Sequence, residues 1–106
     1  MKPSAPHITD FSATDLSRAI HQRQVSCHEV MQATLAQVER FNPGSNAIVS
    51  RVDTDALLRQ AHERDAQLAR GESMGWMHGI PEAIKDLANV QGLRTTLGSP
   101  LMKDFV

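Results

Sequence analysis

The chain has 106 residues and 41% hydrophobic content, which suits one globular domain with a light core, since it holds three Phe, one Trp and no Tyr. Its formal net charge of −1 comes from interspersed Lys, Arg, Asp and Glu, so neither nucleic acid nor an anionic membrane is an expected partner. A single cysteine excludes an internal disulfide, and no apolar stretch approaches a signal peptide core or the ~20 residues of a membrane span, so we expect a cytoplasmic protein.

Two amphipathic helices are predicted before any strand. Residues 1–11 have the pattern of an extended, proline-punctuated lead-in. The sequence Ser-Ala-Thr-Asp at 12–15 has the form of a capping box and predicts the start of the first helix. A second box, Ser-Cys-His-Glu at 26–29, opens a longer helix, which Asn-Pro-Gly at 42–44 is expected to end.

A strand, a helix and a second strand are predicted next. Residues 47–52 are rich in β-branched side chains and follow turn residues, so they predict a strand. Thr54 is the expected N-cap of a helix over about residues 55–70, with Gly71 as its C′ residue. A second strand is predicted from residue 80 or 81 to about residue 89. Such a βαβ unit predicts two parallel strands with a right-handed crossover.

Two parallel strands are too few for a stable sheet, because parallel sheets are normally covered on both faces and continued on both sides. The uncovered sheet edge predicts self-association. Residues 92–99 are predicted to form an irregular loop, after which Ser99 and Pro100 have the pattern of an N-cap followed by proline at the first helical position. No repeat or linker divides the chain, so residues 1–106 are interpreted as part of one larger α/β domain.

Lys85 is the strongest candidate for a catalytic side chain in the predicted second strand. Because side chains alternate along a strand, Ala83, Lys85 and Leu87 would share one face, and Ile84 and Asp86 the other. Desolvation among apolar neighbours would lower the lysine pKa from its free value of ~10.4 and allow it to act as a general base. The alternative is a charged, solvated lysine at the rim of the domain.

The sequence around Lys85 resembles the signature of a known enzyme family. Residues 79–86 read Gly-Ile-Pro-Glu-Ala-Ile-Lys-Asp, and residues 92–99 read Gly-Leu-Arg-Thr-Thr-Leu-Gly-Ser. In content and spacing these segments are similar to the catalytic-lysine segment of the amidase signature family. The likeness continues upstream through Asn-Ala-Ile-Val at 46–49, Ala61 with Asp65, and Gly71, and so covers nearly the whole chain.

The resemblance implies the N-terminal helices and first strands of the mixed-sheet amidase signature fold, incomplete in this chain. It also implies hydrolysis of a small-molecule carboxylic amide through a Ser-cisSer-Lys triad, with Lys85 as the base and no metal or organic cofactor. Members of the family commonly have Asn where this chain has Leu87, which leaves the local hydrogen bonding open.

The serines of that triad have no counterpart in the chain. The family carries them in a Gly-Ser-Ser-Gly type of segment, and no serine here lies in such a run: Ser4, Ser12, Ser17, Ser26, Ser45, Ser50, Ser73 and Ser99. Pro100 follows Ser99, so the amide after Ser99 cannot serve as an oxyanion donor. A base without a nucleophile gives no covalent catalysis, so the chain alone is predicted to be inactive.

Other candidate groups are interpreted as structural. The five histidines are scattered without zinc-ligand spacing and are expected at the surface: His7, His21, His28, His62 and His78. Cys27 is expected to be a half-buried, inert thiol. Met74, Trp76 and Met77 either line a substrate cleft or, as we expect, fill the gap between helix and sheet.

Two further functional hypotheses stay open at this point. Within the resembling family, the chain is equally compatible with a glutamine-dependent amidotransferase subunit. From a different class, it is compatible with a standalone domain that binds or assembles without catalysis.

Overall fold

The computed structural model describes residues 7–86 and 88–106, and within these ranges the regular structure is helical. The α-helices are α1 Ala13–His21, α2 Cys27–Ser45 and α3 Thr54–Ala69. Short 3₁₀ helices form at Ile8–Asp10 and Pro100–Met102. The α/β expectation is therefore met only in its helical part. The predicted lead-in over residues 1–6 and the strand position of Leu87 lie outside the described residues.

The predicted N-caps of α1 and α2 are confirmed. The Ser12 hydroxyl accepts the Asp15 N–H at 3.1 Å, although the Asp15 carboxylate pairs with Arg18 at 3.2 Å and does not complete a capping box. At α2 both halves of the box form. Glu29 N–H donates to the Ser26 hydroxyl at 2.9 Å, and Ser26 N–H donates to the Glu29 carboxylate at 3.1 Å.

Two predicted helix boundaries are corrected by capping geometry. Helix α2 continues through Pro43 to Ser45, because Asn46 adopts a left-handed conformation with φ 49° and bonds the Asn42 carbonyl at 2.6 Å. Helix α3 begins at Thr54, since the Asp53 carboxylate accepts the Ala56 N–H at 3.2 Å and replaces Thr54 as N-cap.

The predicted C′ residue of α3 is confirmed, with Gly71 at φ +76°. Gly71 N–H donates to the Leu68 carbonyl at 2.9 Å, and Glu72 N–H donates to the Gln67 carbonyl at 2.8 Å. These are the two bonds of a Schellman motif, which satisfies the last carbonyls of a helix.

Neither predicted strand is seen among the described residues, because backbone groups of both segments bond to other partners. Asn42 uses its side-chain amide to bond both the N–H and the carbonyl of Ile48, at 2.8 and 2.9 Å. Ile80 N–H donates to the Met77 carbonyl at 3.0 Å, and Ala88 N–H donates to that of Lys85 at 3.0 Å. A ladder needs these groups to face another strand, so the predicted βαβ unit was wrong for this structure.

The core lies where α1, α2 and α3 meet. Its buried cluster consists of Ile20, Cys27, Val30 and Ala61, and the partly buried Ile80 packs against it. Ile80 therefore attaches the beginning of the signature segment to the helices. Within the described ranges, none of the helices has the length and apolarity needed to cross a bilayer.

The molecule exposes more surface than a compact protein of its mass. Its accessible area is 7779 Å², against roughly 5,900 Å² for a folded monomer of this size. Its Cα radius of gyration is 15.6 Å, against about 13 Å for a compact 100-residue domain. Several large apolar side chains are solvent-exposed, among them Phe41, Val49, Trp76, Leu101 and Val106.

Candidate functional site

Lys85 lies on an exposed, irregular part of the chain. Its side chain is open to solvent, so the desolvated position expected on a strand is not present. Its backbone is held by the 3.0 Å hydrogen bond that its carbonyl accepts from Ala88 N–H. An exposed lysine can act as a general base only if the group whose proton it accepts is brought within hydrogen-bond distance of it.

Asp86, the next residue, is held by Thr96. The Thr96 N–H donates to one carboxylate oxygen at 2.8 Å, and the Thr96 hydroxyl donates to the other in a short hydrogen bond. Because these bonds favour the ionised carboxylate, first the hydroxyl and then the amide hold the pKa of Asp86 below its usual value. The pair joins the lysine segment to the loop that contains the second half of the signature.

The Thr96 loop is organised around Thr95. Thr95 is only 4% exposed, and its N–H donates to the Phe105 carbonyl at 2.9 Å. The Thr96 hydroxyl also accepts the Gly98 N–H at 3.3 Å, and Gly98 adopts φ +73°, a conformation that favours glycine. The neighbouring Ser99 is an N-cap, as predicted, but of a 3₁₀ helix, and its hydroxyl accepts the Leu101 N–H at 3.2 Å.

Gly79 brings the start of the signature against the core. Its φ is +81°, and a Cβ placed on it would lie 2.4 Å from the Cys27 sulfur and 3.3 Å from the Cys27 Cβ. No side chain fits at that distance, so glycine is required both by conformation and by the close approach to α2. This accounts for the glycine that precedes Ile80 and Pro81 in this chain.

Asp65 joins α3 to the beginning of α2. Its two carboxylate oxygens accept the N–H groups of Cys27 and His28 at 2.7 and 3.1 Å. A carboxylate at a helix N-terminus satisfies free amides and interacts favourably with the helix dipole. Cys27 is fully buried, and burial together with the Asp65 carboxylate raises its thiol pKa to about 12. Cys27 is buried more deeply than the half-buried position predicted, and the inertness of its thiol stays a prediction.

His78 is buried, contrary to the prediction of a surface histidine. Its Nδ1 accepts the Met74 N–H at 3.1 Å, and its Nε2 faces the Arg64 carbonyl at 2.9 Å, which requires a proton on Nε2. The ring therefore ties the loop after α3 back to that helix. The packing role expected for Met74, Trp76 and Met77 is wrong, because they are 70%, 59% and 45% exposed.

A histidine at the end of α1 meets a serine on the loop after α3. His21 places Nδ1 at 2.8 Å from the Ser17 carbonyl, so Nδ1 carries the proton and Nε2 accepts from the Ser73 hydroxyl at 2.8 Å. With Nε2 unprotonated, the His21 ring could act as a general base towards Ser73. A nucleophilic serine would also need free backbone N–H groups to stabilise an oxyanion, and the nearby ones are already bonded. Gly75 N–H donates to the Ser73 hydroxyl and Met74 N–H to His78, which leaves neither for an oxyanion. The pair therefore anchors the loop.

No cluster of three or more His, Cys, Asp or Glu side chains suitable for a metal lies in residues 7–86 and 88–106. His28 and His62 stack at 4.0 Å between ring centroids, a pairing that their sequence separation did not reveal.

An open, largely apolar groove of about 450 Å³ lies along α2 and reaches Ile80 and Pro81, but Lys85 does not line it.

Most of the chain matches a known protein family. The model of the Amidase family matches residues 29–106. The chain is 39% identical over 96 residues to an acylamidase of Rhodococcus erythropolis, covering 91% of the chain and 20% of that protein. It is 34% identical over 104 residues to an indoleacetamide hydrolase of Bradyrhizobium diazoefficiens, covering 98% and 20%.

A third relative has a different activity in its name. The chain is 34% identical over 99 residues to a glutamyl-tRNA(Gln) amidotransferase subunit of Bdellovibrio bacteriovorus, covering 93% of the chain and 20% of that protein. The chain therefore spans about a fifth of the length of each of these relatives.

Proposed function

This chain belongs to the amidase signature family, and on that premise we propose that it is the N-terminal portion of an enzyme that hydrolyses carboxylic amide bonds. The observation that carries the proposal is the family match over residues 29–106, which contains the Lys85 segment. The names acylamidase and indoleacetamide hydrolase, borne by two relatives, support a small-molecule amide as substrate.

In the proposed reaction, Lys85 is the base of a Ser-cisSer-Lys triad whose serines come from the remainder of the domain. The nucleophilic serine attacks the amide carbonyl while its proton passes through the bridging serine to the lysine. The amine leaves with a proton, and water then hydrolyses the acyl-enzyme. We propose no metal or organic cofactor for these steps.

The exposure of Lys85 supports a divided site of this kind. A lysine that acts on a nucleophile has to lie within hydrogen-bond reach of a serine hydroxyl. Among the described residues, the Ser17 hydroxyl bonds the Trp76 carbonyl and the Ser73 hydroxyl bonds His21, so neither is available to Lys85. The chain alone is therefore expected to hydrolyse no amide, although its lysine segment is already held by Gly79 and Asp86.

A fusion protein tests the proposal. Residues 1–106 would replace the matched fifth of the Rhodococcus erythropolis acylamidase, and hydrolysis of 4-nitroacetanilide would be followed by release of nitroaniline. We expect an active fusion and an inactive isolated chain. Lys85→Ala should lower kcat by about 10²–10⁴-fold, the usual contribution of a general base. Lys85→Arg is the matched control, because it keeps the charge but cannot accept a proton.

An amidotransferase component is the second candidate, because a protein of that name matches the chain over 93% of its length. Reading the encoding locus past the Val106 codon distinguishes these candidates from a standalone assembly domain. A frame that continues into a Gly-Ser-Ser-Gly type of segment supports catalysis, and its product can be assayed for both nitroanilide hydrolysis and glutamine-dependent amidation. A stop codon without such a segment favours assembly with a partner.

A further inference from the structure

Asp86 has the geometry of a residue that fixes the position of its neighbour. We propose that Asp86, by its two hydrogen bonds to Thr96, is a positioning residue that holds Lys85 in register with the triad serines. The inference rests on the proposed function, and it assigns to Asp86 a role that acts through Lys85.

The two bonds define both the distance and the orientation of the carboxylate. The Thr96 N–H and hydroxyl donate to different oxygens of Asp86, so both oxygens of the carboxylate are hydrogen-bonded to one residue. Hydrogen bonds to an ionised acceptor are shorter and about twice as strong as neutral ones. The same two bonds favour the ionised form and lower the pKa of Asp86, whose carboxylate is ionised at neutral pH even without that shift.

Thr96 is a firm anchor because its neighbours are fixed. The preceding Thr95 is buried and bonded to Phe105, and the Thr96 carbonyl accepts the Ser99 N–H at 2.9 Å. Thr96 follows Asp86 by ten positions along the chain. The bonds therefore close a loop whose two ends are the two halves of the signature.

The lysine needs such an external constraint. Lys85 is exposed and its long side chain has many accessible rotamers, so its own contacts do not fix it. Consecutive Cα atoms lie about 3.80 Å apart, so a shift at Asp86 is transmitted directly to Lys85. A misplacement of about 1 Å can cost roughly 10²-fold in rate.

The test compares variants of the Asp86–Thr96 hydrogen-bonded pair in the acylamidase fusion. Thr96→Val removes the hydroxyl bond at nearly constant shape, Thr96→Ser keeps it, and Asp86→Ala removes both bonds. We expect Thr96→Val to lower kcat by about 10-fold and Asp86→Ala by about 10²-fold, with KM within about twofold of the parent. Thr96→Ser should retain the parent kcat. Asp86→Ala combined with Thr96→Val should be no worse than Asp86→Ala alone, since both act through one pair.

The outcomes separate this inference from the proposed function. If Lys85→Ala abolishes activity while Asp86→Ala leaves kcat unchanged, the positioning role is overturned and the proposed function stands. If Thr96→Ser loses as much activity and melting temperature as Thr96→Val, the pair has only a structural role. A fusion that is soluble but inactive, or active with Lys85→Ala, overturns the proposed function and this inference with it.

Discussion

Substitution of Gly79 measures how closely the signature segment is pressed against α2. In Gly79→Ala the new Cβ would lie 2.4 Å from the Cys27 sulfur, in a backbone with φ +81°. The left-handed conformation costs about 1–2 kcal/mol for alanine, and overpacking a closed contact costs about 1–3 kcal/mol. We therefore expect a loss of about 2–5 kcal/mol in the free energy of unfolding.

Gly71→Ala is the matched control. Gly71 has φ +76°, but a Cβ there meets nothing within 4 Å, so only the conformational cost of about 1–2 kcal/mol applies. Removing the sulfur by Cys27→Ala should reduce the cost of Gly79→Ala to nearly that of the control, because the nearest remaining Cys27 atom lies at 3.3 Å. Urea unfolding followed by circular dichroism would supply the free energies.

Equal losses at the two glycines would refute the close-contact argument. The same conclusion would follow if Cys27→Ala left the cost of Gly79→Ala unchanged, since the sulfur is the atom that the new methyl group meets. A non-cooperative urea transition in the parent chain would itself argue against a standalone domain.

The remaining predictions concern Cys27, Asp65 and the exposed surface. The Cys27 thiol should react with iodoacetamide at pH 8 only when the chain unfolds. Its folded pKa of about 12 lies above the ordinary value of 9.0, so the protonated thiol contributes its full stability below pH 9. Urea titrations at alkaline pH should show this contribution being lost as the pH rises towards 12. Asp65→Ala should lower stability by about 1–2 kcal/mol in urea and lower the Cys27 pKa in a thiol titration, whereas an unchanged thiol pKa would contradict the assigned cause. Because several large apolar side chains are exposed, the isolated chain should self-associate in sedimentation experiments as its concentration rises. Leu101→Ser and Phe41→Ser should each reduce this association. A chain that stays monomeric at all concentrations would contradict the prediction.

Local sequence signals predicted the helices because caps are short-range features. The boxes at 12–15 and 26–29 located α1 and α2, and Gly71 located the end of α3. The error at 42–44 has a physical cause, since proline is tolerated there and Asn46 supplies the left-handed residue that ends the helix.

The strands were mispredicted because a strand exists only through its partner. Residues 47–52 have strand-like side chains, but the Asn42 side chain bonds Ile48 in place of a neighbouring strand. The resemblance pointed to Lys85, and its catalytic role stays a prediction. The grip of Thr96 on Asp86 and the burial of His78 depend on tertiary contacts, which periodicity along the sequence does not report.

The Asp65 cap also has a consequence for the order of folding. Helix α2 leaves the ribosome before α3, and until Asp65 arrives the amides of Cys27 and His28 are bonded only to water. The full stability of α2 is then reached only when α2 and α3 close into a helical hairpin, which makes the hairpin, and not either helix, the smallest cooperative unit. The Cys27–Asp65 contact spans 38 positions in sequence, so closure is expected to be slower than the formation of either helix alone. The signature segment would dock on this hairpin afterwards, as Gly79 settles against Cys27.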